Sequence, residues 1–469
     1  NSYFLVYNQT SQNKNRIISM HKIYLSLLLA SLTYAQSVNF DKILDLTLAN
    51  NKDLKNQQLN TDLAKLNTKT IDSINYGKLS IAEELSRTNH SGYVFNSKLS
   101  SREATFRDFG FAQQTEGIDV QPKDLNYPEA RNNYNTKLIY EVPLFTGFKL
   151  SNQKDILQLQ EKANEIKYNL DKKELTFEVL KAYNSAVVAK EFVKALQKAK
   201  VAITQIVKSA DAFHKEGLVT KIDVNEAKVY ELNINSQLIE ASNNFELALA
   251  YLKFLSSDDS ISDVESLENI NFEIPQENLL YNQALENRDE VKMQDIQVNA
   301  TKKNINIANS AYYPSVYSHL EYGFNDDKLT LDDEKDYYMA LVGINLTLFD
   351  NTRDIEKEKS KIEYAKASLN SEKLKDAIKL ELQKTILNLQ TKENILKEKI
   401  EAKNLANEVL EQAKLLYQNH LISMTTLLSQ EANFRKNEAL LIQANYEKSL
   451  ALAKINLALG KNLNTKENN

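Results

Sequence analysis

Val142-Pro-Leu-Phe-Thr-Gly-Phe-Lys149 recurs in altered form as Leu346-Thr-Leu-Phe-Asp-Asn-Thr-Arg353. In both places an alternating segment gives way to a long stretch without helix breakers. Upstream of the first copy, Tyr134, Thr136, Leu138, Tyr140, Val142 and Leu144 fall on one side of an extended chain, and Asn135, Lys137 and Glu141 on the other. Upstream of and within the second, Tyr338, Ala340, Val342, Ile344, Leu346 and Leu348 share a side. This two-residue period predicts strands with one apolar and one partly polar face. Such a strand fits between lipid and a wet lumen, and equally fits a soluble sandwich.

Downstream, glycine and proline disappear. The chain has 9 Gly and 5 Pro, and none lies between Gly147 and Gly217, Gly217 and Pro275, Pro275 and Pro314, or Gly343 and Gly460. Both residues punctuate helices, so these gaps can hold very long ones. The first gap is long enough for a helix of roughly 100 Å. Ile156, Leu159, Ala163, Ile166 and Leu170 follow a heptad rhythm, as do Leu196, Ala199, Ile203, Ile206, Ala210 and Phe213. Val188, Phe192 and Leu196 step by four, a stutter that locally unwinds a coiled coil. The stripes are narrow and Ala-rich, so much of each helix surface stays wet. A wall around water has this look, and so does a coiled-coil hairpin without a lumen.

The repeat extends outward from the opening pair. Phe213-His-Lys-Glu-Gly-Leu-Val219 matches Tyr417-Gln-Asn-His-Leu-Ile422, and Ile239-Glu-Ala-Ser matches Ile442-Gln-Ala-Asn. Leu54-Lys55 pairs with Val291-Lys292, and Tyr76 with Tyr313, at a larger offset. An insertion between Ser86 and Asn132 accounts for the difference. Gly92, Gly110, Gly117, Pro122 and Pro128 fall in it, so 87–131 reads as a long loop. The two repeats are 36–257 and 276–460, joined by a polar, acidic linker at 258–275. Each runs helix, strand, strand, helix, helix. The first helices are placed at about 39–75 and 276–312, and the strands at about 77–87, 132–146, 314–325 and 337–349. Residues 461–469 read as a disordered tail.

Residues 20–35 begin at Met20 with a short basic start, an apolar core from Ile23 to Leu32, and small residues at Thr33 and Ala35. This is the pattern of a secretory signal peptide, too short to span a bilayer as a helix. Residues 1–19 precede that methionine and read as upstream sequence. No other apolar run approaches spanning length, so a membrane-embedded mature chain would have to use β-strands. Four strands cannot close a barrel alone, so such a chain would oligomerise.

Net charge is −5 with a pI near 5.8, which offers no electrostatic case for nucleic acid. Without cysteine there are no disulfides, thiolate metal sites or thiol nucleophiles. The glycine spacing excludes phosphate-binding loops. His21, His90, His214, His319 and His420 form no metal-binding or catalytic spacing. No catalytic residue, cofactor or metal is expected, and the chain reads as a non-enzyme.

The two helix–helix turns carry the remaining signal. In the first, Gly217 can end one helix, and Thr220 or Asp223 can start the next. In the second, His420 replaces the glycine, and Ser423 or Thr425 can cap.

The doubled plan resembles the outer-membrane efflux protein family, the TolC-like outer-membrane channels, across 38–460. Gly217-Leu-Val-Thr-Lys-Ile-Asp-Val224 resembles the family's periplasmic tip, and Val142 to Phe148 its strand-to-helix junction. The resemblance implies a mainly α fold with a small β part. A long coiled-coil α-helical barrel would be joined to four strands per protomer, which form a trimeric twelve-stranded barrel in outer-membrane lipid. It implies an exit duct spanning the outer membrane and reaching into the periplasm, with multidrug efflux favoured over type I protein secretion. A periplasmic coiled-coil adaptor is the other alternative. It implies a membrane-fusion adaptor docked on Gly217, Leu218, Val219, Thr220, His420, Leu421, Ile422 and Ser423, and an inner-membrane pump of RND or ABC type. Asp223 and Tyr417 match gate positions, although Asp223 serves equally as a helix cap. Ile222, Thr426 and Ser429 stand where the family has polar or acidic gate residues, and a gate arginine has no match. A strongly acidic ring is therefore not expected.

Overall fold

The computed structural model describes residues 36–268 and 277–463. The expected signal peptide, the segment before it and residues 464–469 lie outside the described residues. The chain divides into two compact units.

One unit comprises Gln58–Ile166 and Lys292–Lys373. Its sheet contains β2 (Lys78–Thr88), β3 (Arg131–Thr146), β5 (Ser315–Asp326) and β6 (Asp336–Asn345), all antiparallel, in the order β2-β3-β5-β6. Directly opposed residues share a face. One face carries the rows Leu79–Tyr140–Leu320–Ala340 and Ile81–Leu138–Tyr322–Tyr338. The other carries Lys78–Glu141–His319–Leu341 and Ala82–Lys137–Gly323–Tyr337. The polar face is tied together by side chains. Tyr337 donates to Glu321 (2.5 Å) and its hydroxyl lies 3.0 Å from the Asn135 side chain, Lys137 pairs with Glu84 (2.9 Å), and His319 lies 3.0 Å from Glu141.

Two details correct the strand readings. A bulge between Pro143 and Phe145 shifts the alternation, so Phe145, not Leu144, opposes Val316. Pro143 has no N–H for the ladder, and an extra residue beside it moves the following side chains to the other face. Strand β6 stops at Asn345, opposite Ser315, leaving Leu346 and Leu348 beyond it. The residue before Ser315 is Pro314, which cannot donate the next ladder bond.

The helices are α1 (Phe40–Asn50), α2 (Lys52–Ile74), α3 (Ser91–Ser100), α4 (Lys123–Asn126), α5 (Lys149–Lys215), α6 (Lys221–Ser256), α7 (Glu277–Asn287), α8 (Asp289–Asn309), α9 (Asn351–Gln418) and α10 (Met424–Ala458). The single helix expected over 39–75 is broken at Asn51. Its backbone leaves the helical region, and its side chain accepts the Leu54 N–H at 2.9 Å, starting α2. The helix expected over 276–312 breaks likewise at Arg288, between α7 and α8.

Within the sheet-bearing unit the helices link in series. Lys154 of α5 pairs with Asp72 of α2 (2.6 Å), Lys303 of α8 with Asp155 of α5 (2.6 Å), and Gln294 of α8 donates to the Ala367 carbonyl of α9 (3.1 Å). The series α2-α5-α8-α9 thus parallels the strand order.

The insertion is not a bare loop. It holds α3, a 3-10 turn at Phe111–Glu116 and α4. Val94, Ser97 and Ser101 are buried, and Asp108 binds Lys98 (2.5 Å) and the Thr105 N–H (2.7 Å). These anchors supply the order that its glycines and prolines concealed.

Of the described residues, the other unit holds 36–57, 167–268, 277–291 and 374–463. Its core gathers Phe40, Ile43, Leu44, Val179, Leu180, Tyr183 and Leu252. The linker contributes a strand, β4 (Ile261–Val264), which pairs in parallel with β1 (Gln36–Val38). Ile261 and Val264 are buried in that core, which explains order in a segment read as a polar connection. Of the expected tail, Lys461 donates its N–H to the Asn456 carbonyl (3.0 Å), and Leu463 is buried in the same core.

Candidate functional site: the inter-helix turns and the sheet edges

Helix α5 ends in a closed left-handed turn. Gly217 has φ +73°, its N–H bonds to the His214 carbonyl (3.0 Å), and the Leu218 N–H reaches back to Phe213 (2.8 Å). Helix α6 starts at Thr220 in a capping box. The Asp223 carboxylate accepts the Thr220 N–H at 2.8 Å, and the Asp223 N–H donates to the Thr220 hydroxyl.

The second turn reproduces the first with different residues. His420 adopts φ +60°, its N–H bonds to Tyr417 (2.9 Å), and the Leu421 N–H reaches Leu416 (2.8 Å). Ser423, not Thr425, caps α10, accepting the Thr426 N–H at 3.2 Å. Thr425 instead donates to Glu226 of α6 (2.9 Å), tying the turns together. The His420 ring stands edge-on to Phe213 at 4.9 Å.

Beneath the turns lies a common core of Val224, Ala227, Tyr417, Met424 and Leu427. Leu218, Ile222 and Leu421 stay outside it, Ile222 and Leu421 being 68% and 69% exposed. The residues expected to dock an adaptor therefore cluster at one place, and Ile222, exposed and apolar, lies beside them. The two gate candidates are engaged in holding the hairpins. Asp223 is committed to its capping box. Tyr417 is buried against Phe213, and its hydroxyl has no hydrogen-bond partner among the described residues. Burial, followed by the nearby Asp223 charge, holds that phenol above its ordinary range.

The sheet-bearing unit is open at both ends of its series. Strands β2 and β6 are its edges. The terminal helices carry exposed apolar stripes: Leu59, Leu63 and Leu66 on α2, and Ile355, Ile362 and Leu369 at seven-residue steps on α9. The apolar face of the sheet is also exposed, including Leu79, Ile81, Tyr338 and Val342. Neither signal could be paired from sequence, because the lateral order of the helices depends on contacts far apart in the chain.

Glu103, Asp326 and Asp327 bring carboxylates together. Lys335 already contacts Glu103 (2.5 Å) and Asp326 (2.7 Å), and Arg131 also pairs with Glu103, so the protein's own cations satisfy Glu103 and Asp326. No helix among the described residues is long and apolar enough to cross a membrane.

The sequence matches the profile of the family described as Outer membrane efflux protein over residues 43–256 and 280–461. None of the curated proteins compared with it matches significantly. The fold is similar to that of a membrane protein from Pseudomonas aeruginosa (TM-score 0.75, 18% identity, 90% of each chain covered). It is similar also to the Campylobacter jejuni CmeC outer membrane channel (0.72, 17%, covering 90% of this chain and 85% of that one). A third similar fold is the outer membrane protein VceC from Vibrio cholerae (0.73, 15%, covering 91% and 97%). The profile match spans both repeats and the mainly α architecture is shared, so this chain belongs to the outer membrane efflux protein family.

Proposed function

We propose that the chain is one of three identical copies closing into an exit duct in the outer membrane that reaches into the periplasm. The observation carrying this reading is the four-stranded sheet with two open edges, one exposed apolar face and one networked polar face. In lipid an open edge leaves backbone groups unsatisfied, so a sheet there must close on itself. Four strands are too few, while three copies supply about twelve. Joining β2 of one copy to β6 of the next would bring the stripe on α2 against the stripe on α9, because helices and strands follow one order. The seam would seal backbone and apolar surface together.

The apolar face then meets outer-membrane lipid and the polar face lines the bore. The exposed residues of the two turns, Gly217, Leu218, Val219 and Thr220 with His420, Leu421, Ile422 and Ser423, receive a membrane-fusion adaptor. That adaptor connects to an inner-membrane pump of RND or ABC type, which supplies the energy. Asp223 and Tyr417 hold the hairpins in the closed arrangement. Adaptor binding opens them to the extent that it favours the open arrangement. Passage through the bore involves no bond chemistry, so the chain acts as a conduit and not as an enzyme.

Of the two cargoes, efflux of small molecules is proposed ahead of type I protein secretion, a reading in keeping with the family's description as an efflux protein. Deleting the gene and measuring dye accumulation and the secreted protein profile in one culture separates the two. Dye accumulation reversed by complementation supports multidrug efflux. Retention of a secreted protein with unchanged dye overturns that assignment in favour of secretion.

A further inference from the structure

The insertion between β2 and β3 rests on one particular side of the sheet. Ser97 of α3 donates to Asn133 (2.8 Å), and Arg131 donates to Ser97 (3.2 Å) and Ser101 (2.9 Å). Asn133 and Arg131 alternate with Asn135 and Lys137, so they continue the polar face. The insertion is fixed at a second point on the β5–β6 connection, where Arg102 donates to the carbonyls of Glu334 (2.6 Å) and Asp336 (2.7 Å). The first anchor lies on the polar face, and the second reaches across the strand ends to the β5–β6 connection.

Its outward surface is unusually aromatic for a loop. Phe106 is 77% exposed and packs edge-on against Phe111, while Tyr93, Tyr127 and Ile118 are also exposed. A cluster of this kind in water calls for an apolar partner. The second repeat has no counterpart, since β5 and β6 are joined by a short connection through Asp333–Lys335. Each copy therefore contributes one such element.

We infer that these insertions are self-association surfaces, which meet their two copies over the mouth of the bore and narrow it. The inference rests on the three-copy duct proposed above, in which the polar face looks inward. An element anchored on that face is carried toward the axis, not toward lipid, and the three-fold arrangement brings three identical aromatic clusters together. The partner is thus a second and third copy of the same surface, joined by apolar contact.

The chain has no cysteine, so single substitutions report cleanly. Phe106→Cys and, separately, Ile118→Cys would be introduced into the full-length protein, purified as the detergent-solubilised assembly and oxidised. Ile81→Cys on the apolar face serves as the control. The expected result is a disulfide-linked pair of chains for at least one insertion variant and none for Ile81→Cys. In parallel, Glu84→Cys on the polar face should react severalfold faster with a membrane-impermeant thiol reagent added outside intact cells when it is combined with Phe106→Ala/Phe111→Ala, a readout that the closed turns do not limit. A three-copy assembly that shows neither cross-linking nor faster labelling overturns the inference while leaving the duct intact. An assembly that is not three-copy overturns both.

Discussion

Replacing Gly217 by alanine isolates a purely conformational cost. Nothing lies within 4 Å of the Cβ that alanine would add, yet φ is +73°. A left-handed conformation costs an L-residue about 1–2 kcal/mol. Alanine also restricts the open chain, which returns roughly 0.4–1 kcal/mol. The net loss is about 1 kcal/mol, or about a fivefold increase in the open population of the turn. Hydrogen–deuterium exchange reads this locally at the Leu218 N–H, whose bond to Phe213 closes the turn. The corresponding turn at His420 is the internal comparison and should change less, only through its contacts with Phe213 and Glu226. At Gly147, where the added Cβ would sit 2.7 Å from the Ser310 carbonyl oxygen, the same substitution should cost more. His420→Gly relieves a φ of +60° but removes the ring contact with Phe213, worth about 0.5–1.5 kcal/mol, so the two effects nearly cancel. Unchanged exchange in Gly217→Ala, or equal acceleration of both turns, would refute the reasoning.

Asp223→Ala should fray the first turn of α6 by about 1 kcal/mol, seen as faster exchange there, because the capping box loses its carboxylate. The same variant should lower the Tyr417 phenol toward its ordinary range in an ultraviolet titration, with burial keeping part of the elevation. Arg288→Met removes a guanidinium bonded to Glu381 (2.6 Å) and Glu290 (2.7 Å), and should shorten the thermal half-life by an amount equivalent to roughly 2 kcal/mol. That is less than for a fully buried pair because both carboxylates are partly exposed. Burial pushes the Glu290 carboxyl up, but Arg288 outweighs it and the net shift is downward. A depressed carboxylate stabilises fully above its unfolded value, near 4.3, and the contribution fades as pH falls through the folded value. Acidification from about pH 5 should therefore destabilise the unsubstituted protein more than Arg288→Met, measured as inactivation rate against pH. Burial raises Asp108 as well, yet Lys98 and Thr105 bring it down to about 2, so the insertion should keep its exchange protection well below pH 4 and lose it as pH approaches 2.

The long helices were legible because their signal is local. The gaps between Gly147 and Gly217 and between Gly343 and Gly460 permit them, and the heptad positions Ala199, Ile203, Ile206 and Ala210 prove to be buried. The turns were legible because capping needs particular side chains at fixed steps, although sequence left open which of two candidates would cap. What stayed hidden depends on distant partners. The strand β4 exists because Val38 and the core around Tyr183 receive it. The breaks at Asn51 and Arg288 involve residues compatible with a helix interior, and no glycine or proline marks them. The bulge at Pro143 altered one face of a strand whose alternation continues unbroken in the sequence. The site followed the same division. Local spacing located the two inter-helix turns, whereas the burial of Tyr417 and the matched order of helix stripes and strand edges required the fold.

The claim that the open edges of β2 and β6 close between copies is tested most directly by the mass of the native species. Protein extracted from the outer membrane in mild detergent and measured by native mass spectrometry should contain three chains and fall to one only after heating. A species that is a single chain before heating, recovered from the outer membrane, would contradict the account.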